Sequence, residues 1–351
     1  MVWHRATYKS KGIVMKAMVI TNYGPTGHFE IREVPRPSVG PGQVLIQVKA
    51  SSVNPVDFKI RSGLLPGIAP VLPAILHGDM AGIVAEVGEA VSEWFVGDEV
   101  YGFVGGIGKT HGVIAEYAVV DARQLAKKPA RLSFAEAAAL PLVSITAWEA
   151  LIDKVRIMPG DHVLIHGGTG GVGHIGLQLA KLQGARVAVS VSSPSKGELA
   201  RQLGADDIVV YQEEDVSSYV RRLTEGQGFD VVFDTVGGEV LDRSIEAIRT
   251  LGQVVSTSTH SKHDLSFLHQ KGASLHVVFM LLPLLGGSGL AHHGEIVGRL
   301  SEIVDRGALR PLIDSQRFFF SNVGSAHSYL ESGAAIGKVV LENDFLAATH
   351  Q

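Results

Sequence analysis

The rhythm of apolar and polar positions changes along this chain. Residues 16 to about 125 read as short alternating stretches cut by turn signals, the pattern of a compact β-rich unit. Strands are predicted over 17–21, 29–34, 43–50, 82–87, 99–103 and 116–120, with Gly40-Pro41-Gly42 and Gly97-Asp98 as turns. From Ser133 the period lengthens. Ser133 and Glu136 have the spacing of a capping box, and an Ala- and Leu-rich helical stretch follows, broken at Pro141 and resumed over 146–152. After the turn Pro159-Gly160-Asp161, strands and helices alternate. Apolar runs predict strands at 162–166, 186–191, 207–211, 230–234, 252–256 and 274–280, with helices over 171–183, 195–203, 215–224 and 239–250. Six strands with intervening helices predict an α/β fold with a doubly wound parallel sheet and right-handed crossovers. A helix over 293–306 and a last β segment, 338–342, close the chain.

The most specific local pattern lies at the first of these strand–helix junctions. The apolar run 163–165 leads into His166-Gly167-Gly168-Thr169-Gly170-Gly171-Val172-Gly173, where Gly168, Gly170 and Gly173 fit G-x-G-x-x-G. Between a strand and a helix this is a dinucleotide fingerprint. The first glycine permits the tight turn, the second lets the backbone approach a pyrophosphate, and the third lets helix and strand pack closely. The free N–H groups and positive dipole end of the helix, with Gly171 and Val172 in its first turn, then hold the phosphates. Without a ligand the same stretch is an ordinary glycine-rich turn.

An acid about 20 residues further on would bind the ribose hydroxyls of NAD. The second strand ends instead in Ser190-Val191-Ser192-Ser193-Pro194-Ser195-Lys196. Ser192, Ser193 and Lys196 offer donors and a cation for a 2′-phosphate, which a carboxylate would repel. NADPH is the expected cofactor. The plainer reading makes the serines a helix cap and Lys196 a solvated charge.

Composition narrows the field. At 351 residues the chain calls for two domains, and 46% hydrophobic with 19% charged residues is globular. The net charge of −4, with no basic block, argues against a nucleic-acid partner. The absence of cysteine removes disulfides, thiolate catalysis and cysteine-based zinc sites. The longest apolar run, 277–285, contains Pro283 and is too short to span a bilayer, so no membrane partner is expected. Residues 1–14 are basic and irregular and read as an extension; the expected location is the cytoplasm.

Spaced motifs carry a resemblance. Ser52-Val53-Asn54-Pro55-Val56-Asp57-Phe58-Lys59-Ile60-Arg61-Ser62-Gly63, His77-Gly78-Asp79-Met80-Ala81-Gly82, Gly97-Asp98-Glu99-Val100-Tyr101-Gly102 and Ala139-Leu140-Pro141-Leu142-Val143 occur with the glycine loop. Together they resemble the medium-chain dehydrogenase/reductase superfamily, and within it the zinc-independent quinone oxidoreductases. The resemblance implies a GroES-like catalytic domain built from 15–143 and 288–351, a Rossmann cofactor domain over 144–287, a cleft between them, and a homodimer formed through strand 274–280. Asn54 falls where zinc relatives carry a first Cys ligand, and Gly78 where they carry a His, with Asp79 beside it. No metal site is expected, and His77 with Asp79 alone is short of a ligand set. His260, His263, His292 and His293 are expected on loops or helix surfaces. Some quinone oxidoreductases carry Tyr at the position of Lys59; the lysine looks like the branch containing plant and microbial alkenal and enone reductases.

Reduction of an enone places negative charge on the carbonyl oxygen, which needs donors, and the α-carbon needs a proton. Lys59 is the first candidate, toward the nicotinamide ribose or the oxyanion; its plain alternative is a surface pair with Asp57. Asn54 is a second, through its amide. Asp57 is expected to be structural, with Arg61 its partner. The resemblance implies Thr146 near the pyrophosphate or nicotinamide end and Tyr211 against the adenosine. It also places Thr235, Val236, Ser256 and Thr257 along the cofactor groove, and Lys338 on the cofactor side. The expected partner is a small apolar enone, enal or quinone. Competing readings are a non-catalytic NADPH-binding protein and a trans-acting enoyl reductase.

Overall fold

A computed structural model describes residues 13–346. Residues 1–12 of the expected extension therefore lie outside the described residues; Val14 already belongs to the first strand.

The β-rich unit begins with β1 (Val14–Ile20) and β2 (Phe29–Pro35), paired antiparallel. β3 (Gln43–Val53) leads into a helix, α1 (Pro55–Arg61), in the middle of the first motif. Asp57 makes this helix start: its carboxylate accepts the Asn54 N–H at 2.7 Å, and Pro55 occupies the first turn, where no N–H is needed. β4 (Asp79–Val87), β5 (Glu99–Phe103), β6 (Tyr117–Asp121) and β7 (Ala126–Lys127) follow. α2 (Phe134–Ala138) starts at the Ser133–Glu136 capping box; α3 (Pro141–Trp148) starts at its proline and widens into a π-helical turn over Glu149–Lys154.

The parallel unit runs β8 (His162–His166), α4 (Gly171–Leu182), β9 (Arg186–Val191), α5 (Pro194–Gln202), β10 (Asp207–Val210), α6 (Val216–Thr224), β11 (Phe229–Asp234), α7 (Glu239–Ala247) and β12 (Ile248–Ser256). It is completed by α8 (Ser266–Lys271) and β13 (Ser274–Val277). Then α9 (Leu282–Gly286) and α10 (Leu290–Asp305) lead back to the first unit, which ends with β14 (Phe318–Phe319), α11 (Val323–Glu331) and β15 (Val339–Glu342).

The six parallel strands have the order β10-β9-β8-β11-β12-β13, so the order reverses between β8 and β11. Ligands of such sheets bind beyond the carboxyl ends at that point. In the other sheet β15 pairs with β3, so the two ends of the chain close one sheet. One apolar core continues through both units: Tyr101 and Phe103 of β5 share it with Ile165 and Phe233 of the parallel sheet, α3 lying between. The Tyr101 hydroxyl donates to the Val297 carbonyl at 2.6 Å and so fixes α10 to β5. The opposite face of the parallel sheet packs on α6 and α7 through Leu164, Ala188 and Val232.

Several expected boundaries move: β3 runs on to Val53, β4 starts at Asp79, β12 at Ile248 and α10 at Leu290, and α3 starts at Pro141, where a break was expected. The helix expected to 250 stops at Ala247, because Ile248 already pairs with Phe229 of β11. The strand expected over 274–280 ends at Val277, where its register against β12 runs out at Ser256.

Candidate functional site

The glycine loop lies at the sheet's switch point. The positive φ that makes its turn, +74°, belongs to Gly167, one residue before the first glycine of the fingerprint. Gly168 packs on Val189 of β9, and a Cβ on Gly173 would stand 2.1 Å from the Gly167 carbonyl oxygen. Helix and loop therefore touch backbone to backbone. The N–H groups of Gly171, Val172 and Gly173, in the first turn of α4, have no intrahelical acceptor. Gly170 is bridged to Gly337, whose N–H donates to the Thr169 carbonyl at 2.9 Å. The closing segment of the chain thus braces the loop.

A cleft of about 830 Å³ opens beyond the carboxyl ends of β8, β9 and β10. Of the residues singled out for the cofactor, Gly170, Ser192, Lys196, Tyr211 and Val236 line it. Ser193 does not: its hydroxyl caps α5, accepting the Lys196 N–H at 3.4 Å. Thr235 donates its hydroxyl to the His166 carbonyl at 2.6 Å and holds the loop rather than lining the cleft. Ser256 is buried and donates to Asp234 at 2.7 Å, and the Thr257 N–H donates to the Asp234 carbonyl at 3.1 Å. Carboxylates are also present on the wall. They are Glu213, Glu214, Asp215 and Glu246; Asp215 caps α6 through the Ser218 N–H at 2.8 Å and Glu214 is paired with Arg222, so these two are turned to other partners. The glycine cradle, the cation and the hydroxyl fit a dinucleotide phosphate.

A second cluster lies beneath the loop, where the two units meet. The Lys338 ammonium is buried, 2% exposed; it donates to the Val53 carbonyl at 3.1 Å and to Asn54 Oδ1, and stands 3.4 Å from Asp79 Oδ2. Its Cδ lies 3.3 Å from where a Cβ on Gly171 would be. Lys338 therefore sits under the glycine loop but turns its charge to the segment of Val53 and Asn54. Burial depresses its pKa, and Asp79 and Asp57 oppose that shift. Asp79 is fully buried and saturated: Oδ2 also accepts Ser52 Oγ and Asn54 Nδ2, each at 2.7 Å, and Oδ1 accepts the Leu142 N–H at 2.8 Å, capping α3. These partners fix the Asn54 amide: its oxygen faces an ammonium and its nitrogen a carboxylate, an order that cannot be reversed. One Nδ2 hydrogen is engaged and the other is left to donate. Thr146 lies one turn further along α3 and turns its hydroxyl to the Leu142 carbonyl at 2.7 Å.

Asp57 is buried, and burial pushes its carboxyl up to about 7 against the Asn54 N–H, which acts to lower it. It makes no pair with Lys59 or with Arg61. Lys59 is half-buried on α1, and its ammonium has no hydrogen bond or ion pair among the described residues. Arg61 turns the other way, to Glu331 at 2.6 Å, to the Gly24 carbonyl, and to His327 Nδ1 at 3.3 Å. That last contact sets the protons of a buried histidine pair. Because Arg61 donates to His327 Nδ1, His327 Nε2 carries the hydrogen and donates to His77 Nε2 at 2.8 Å; His77 Nδ1 then donates to the Ser52 carbonyl at 3.1 Å. Both rings are neutral, His77 pushed down to about 3 by burial and His327 well below its usual value. The pair holds His77 at φ +70°, immediately before Asp79's neighbour Gly78.

Asn54 and Asp79 converge on an ammonium and His77 on a second imidazole, so these donors do not form the ligand set of a catalytic zinc. Among the described residues no group of three or more His, Cys, Asp or Glu is placed to hold a metal. Of the other histidines, His292 is at the surface against Asp153, but His293, expected there too, is 1% exposed and faces Glu149 at 3.3 Å.

Sequence reasoning placed Asn54 and Lys59 in one segment and missed the partners that orient them. Asp79 was noted beside the position of an absent ligand and weighed with His77 as an incomplete metal pair, and His327 was not singled out. The readable signal for α1 was Asn54 and Asp57 in capping-box spacing around Pro55.

Comparison with known proteins agrees with this architecture. Residues 40–130 match the alcohol dehydrogenase GroES-like domain, and residues 171–282 match the zinc-binding dehydrogenase family. The chain is 34% identical to the NADPH-dependent alkenal/one oxidoreductase, chloroplastic, of Arabidopsis thaliana, over 93% of this chain and 79% of that protein. It is 32% identical to the quinone oxidoreductase of Pseudomonas aeruginosa, over 93% of this chain and 99% of that one. The crystal structure of an alcohol dehydrogenase superfamily protein from Novosphingobium aromaticivorans is similar over 93% of this chain and 99% of its own, with 42% identity and a TM-score of 0.90.

Proposed function

The chain belongs to the medium-chain dehydrogenase/reductase superfamily, in its quinone and enone reductase branch, and we propose that it is a zinc-independent, NADPH-dependent reductase of α,β-unsaturated carbonyl compounds and quinones. It is an oxidoreductase that takes a nicotinamide cofactor and a small-molecule substrate. The preference for NADPH is supported by the end of β9, where Ser192 and Lys196 line the cleft and no carboxylate stands.

The observation that carries the choice of reaction is the fixed Asn54 amide, held between Lys338 and Asp79 with one donor hydrogen left over. When bound, the nicotinamide supplies the hydride. What this chain must add is stabilisation of the oxygen that becomes negative as the conjugated double bond is reduced. Asn54 is pre-oriented to donate and has no rotamer freedom to lose. Lys59, with its ammonium uncommitted, is the second donor or a cofactor contact. One such preorganised donor is worth about 10²–10³ in rate. No protein acid is needed at the α-carbon if water or a cofactor hydroxyl delivers the proton.

Among the described residues β13 pairs only with β12 and leaves an edge; Val277, Phe279, Leu282 and Leu285 on and beside it are exposed. We assign this edge to a homodimer. Among the described residues no helix is long and apolar enough to cross a membrane; the proposed location is the cytoplasm.

The test is consumption of NADPH and NADH with a panel of enones, enals and quinones. Turnover of conjugated substrates with NADPH over NADH is expected. Tight NADPH binding without turnover of any of them would replace this reading with a non-catalytic one.

A further inference from the structure

The floor of the cleft carries a polar atom that none of these roles uses. His166 is the last residue of β8. Strand alternation puts its ring on the face of Leu164, the side of the sheet covered by α6 and α7. Its register neighbours there are Ser190 of β9 and Asp234 of β11. Nδ1 lies 2.8 Å from Ser190 Oγ, while Nε2 is buried without a partner. The residue is 4% exposed and lines the cleft. The Tyr219 hydroxyl, on the α6 wall of the same cleft, is likewise buried and unpaired. Buried polar atoms without partners are rare in folded proteins, and two on one cleft call for an explanation from outside the chain.

The chemistry of the missing partner is constrained. Burial holds the His166 ring neutral, its pKa pushed down to about 4. A neutral ring offers one hydrogen bond and no charge, so it is poorly suited to a phosphate. Phosphates already have the glycine loop and Lys196. A sugar hydroxyl or a base nitrogen suits it, and a hydroxyl pairs with either tautomer that the Ser190 contact allows. We propose that His166 Nε2 is the polar contact for the adenosine half of the cofactor, made at the floor of the cleft between β8 and α6–α7. This rests on the nicotinamide-dinucleotide reading above.

The experiment is a titration of ¹⁵N-histidine-labelled protein with 2′,5′-ADP, adenosine and nicotinamide mononucleotide, the His166 signal being assigned by its loss in His166→Asn. The His166 Nε2 resonance is expected to move with 2′,5′-ADP and adenosine and to stay with the mononucleotide. His166→Phe and His166→Asn are expected to weaken 2′,5′-ADP binding about 3- to 10-fold, the value of one neutral hydrogen bond. An Nε2 resonance unmoved at saturating 2′,5′-ADP, as a structural water on that atom would leave it, overturns the proposal; if neither variant folds, the signal is assigned instead through nuclear Overhauser contacts of the ring with Ser190 and Asp234. Unchanged affinity in the folded variants overturns it as well. If the wild-type protein binds neither adenosine ligand nor NADPH, the dinucleotide reading itself fails, which these outcomes keep separate.

Discussion

Lys338 and Asp79 stand 3.4 Å apart, 259 positions apart in sequence, with side chains 3% and 0% exposed. The pair joins the closing strand of the chain to the second motif, and through Asn54 to the first. A buried pair of this kind is costly to break from one side, because the remaining charge keeps no partner. Lys338→Met is expected to lower the unfolding free energy by about 3–5 kcal/mol in urea titrations. Lys338→Met with Asp79→Asn is expected to lose less than Lys338→Met alone. Strict additivity in that cycle would show that the two groups do not interact.

Lys196 lines the cleft beside Ser192 and is free of other ion pairs among the described residues. Lys196→Glu replaces a cation facing a phosphate with a charge that repels it. NADPH kcat/KM is expected to fall about 10- to 100-fold, with NADH much less affected. The ratio of the two cofactors in steady state reads this directly; an unchanged ratio would leave Lys196 as a solvated charge.

Lys59 differs from Lys338 in having nothing to stabilise. Its ammonium is uncommitted, so Lys59→Ala is expected to leave the melting temperature within about 1 °C, a surface-level change. Turnover or NADPH affinity is expected to fall about tenfold or more. Intact turnover together with intact affinity would remove Lys59 from the site.

Acid sensitivity follows from the buried rings. His77, His166 and His174 have pKa values pushed by burial from 6.5 to about 3, 4 and 4, and His327 is also lowered. Below pH 6.5 the unfolded chain protonates these rings while the folded chain does not, so stability falls as pH falls, by about 1.4 kcal/mol per pH unit for each ring. The loss runs from pH 6.5 to about 4 for His166 and His174 and to about 3 for His77. Asp57 acts oppositely. Its pKa is raised from 3.8 to about 7, so the folded chain takes up a proton in that window, and its contribution is full below 3.8 and lost as pH rises through 7. Four rings outweigh one carboxyl. Urea midpoints are expected to drop steadily from pH 6.5 to 4, and a flat profile would contradict the neutral assignments.

The parallel sheet was legible because each of its strands is a local apolar run: 162–166 and 186–191 have the observed bounds of β8 and β9. The glycine loop and the Ser133–Glu136 cap were legible for the same reason, since their spacing is short. What escaped was set by distance. His77 meets His327 across 250 positions and Lys338 meets Asn54 across 284, and no periodicity within either segment encodes such a contact. Sequence placed Lys338 on the cofactor side; the structure lays its stem against the loop and its charge against Asn54. The expectation that Arg61 pairs with Asp57 was reasonable for one turn of helix, but Asp57 points back to the Asn54 N–H and Arg61 across to α11.

The central claim is hydride delivery to a conjugated carbon rather than to a carbonyl. Incubation with NADPH deuterated at the transferable C4 position and an enone, followed by mass spectrometry and NMR of the product, reads the site of transfer. One deuterium on the β-carbon of a saturated ketone is the expected result. Deuterium on the carbonyl carbon of an alcohol, or no product from any enone, enal or quinone while NADPH stays bound, would contradict it.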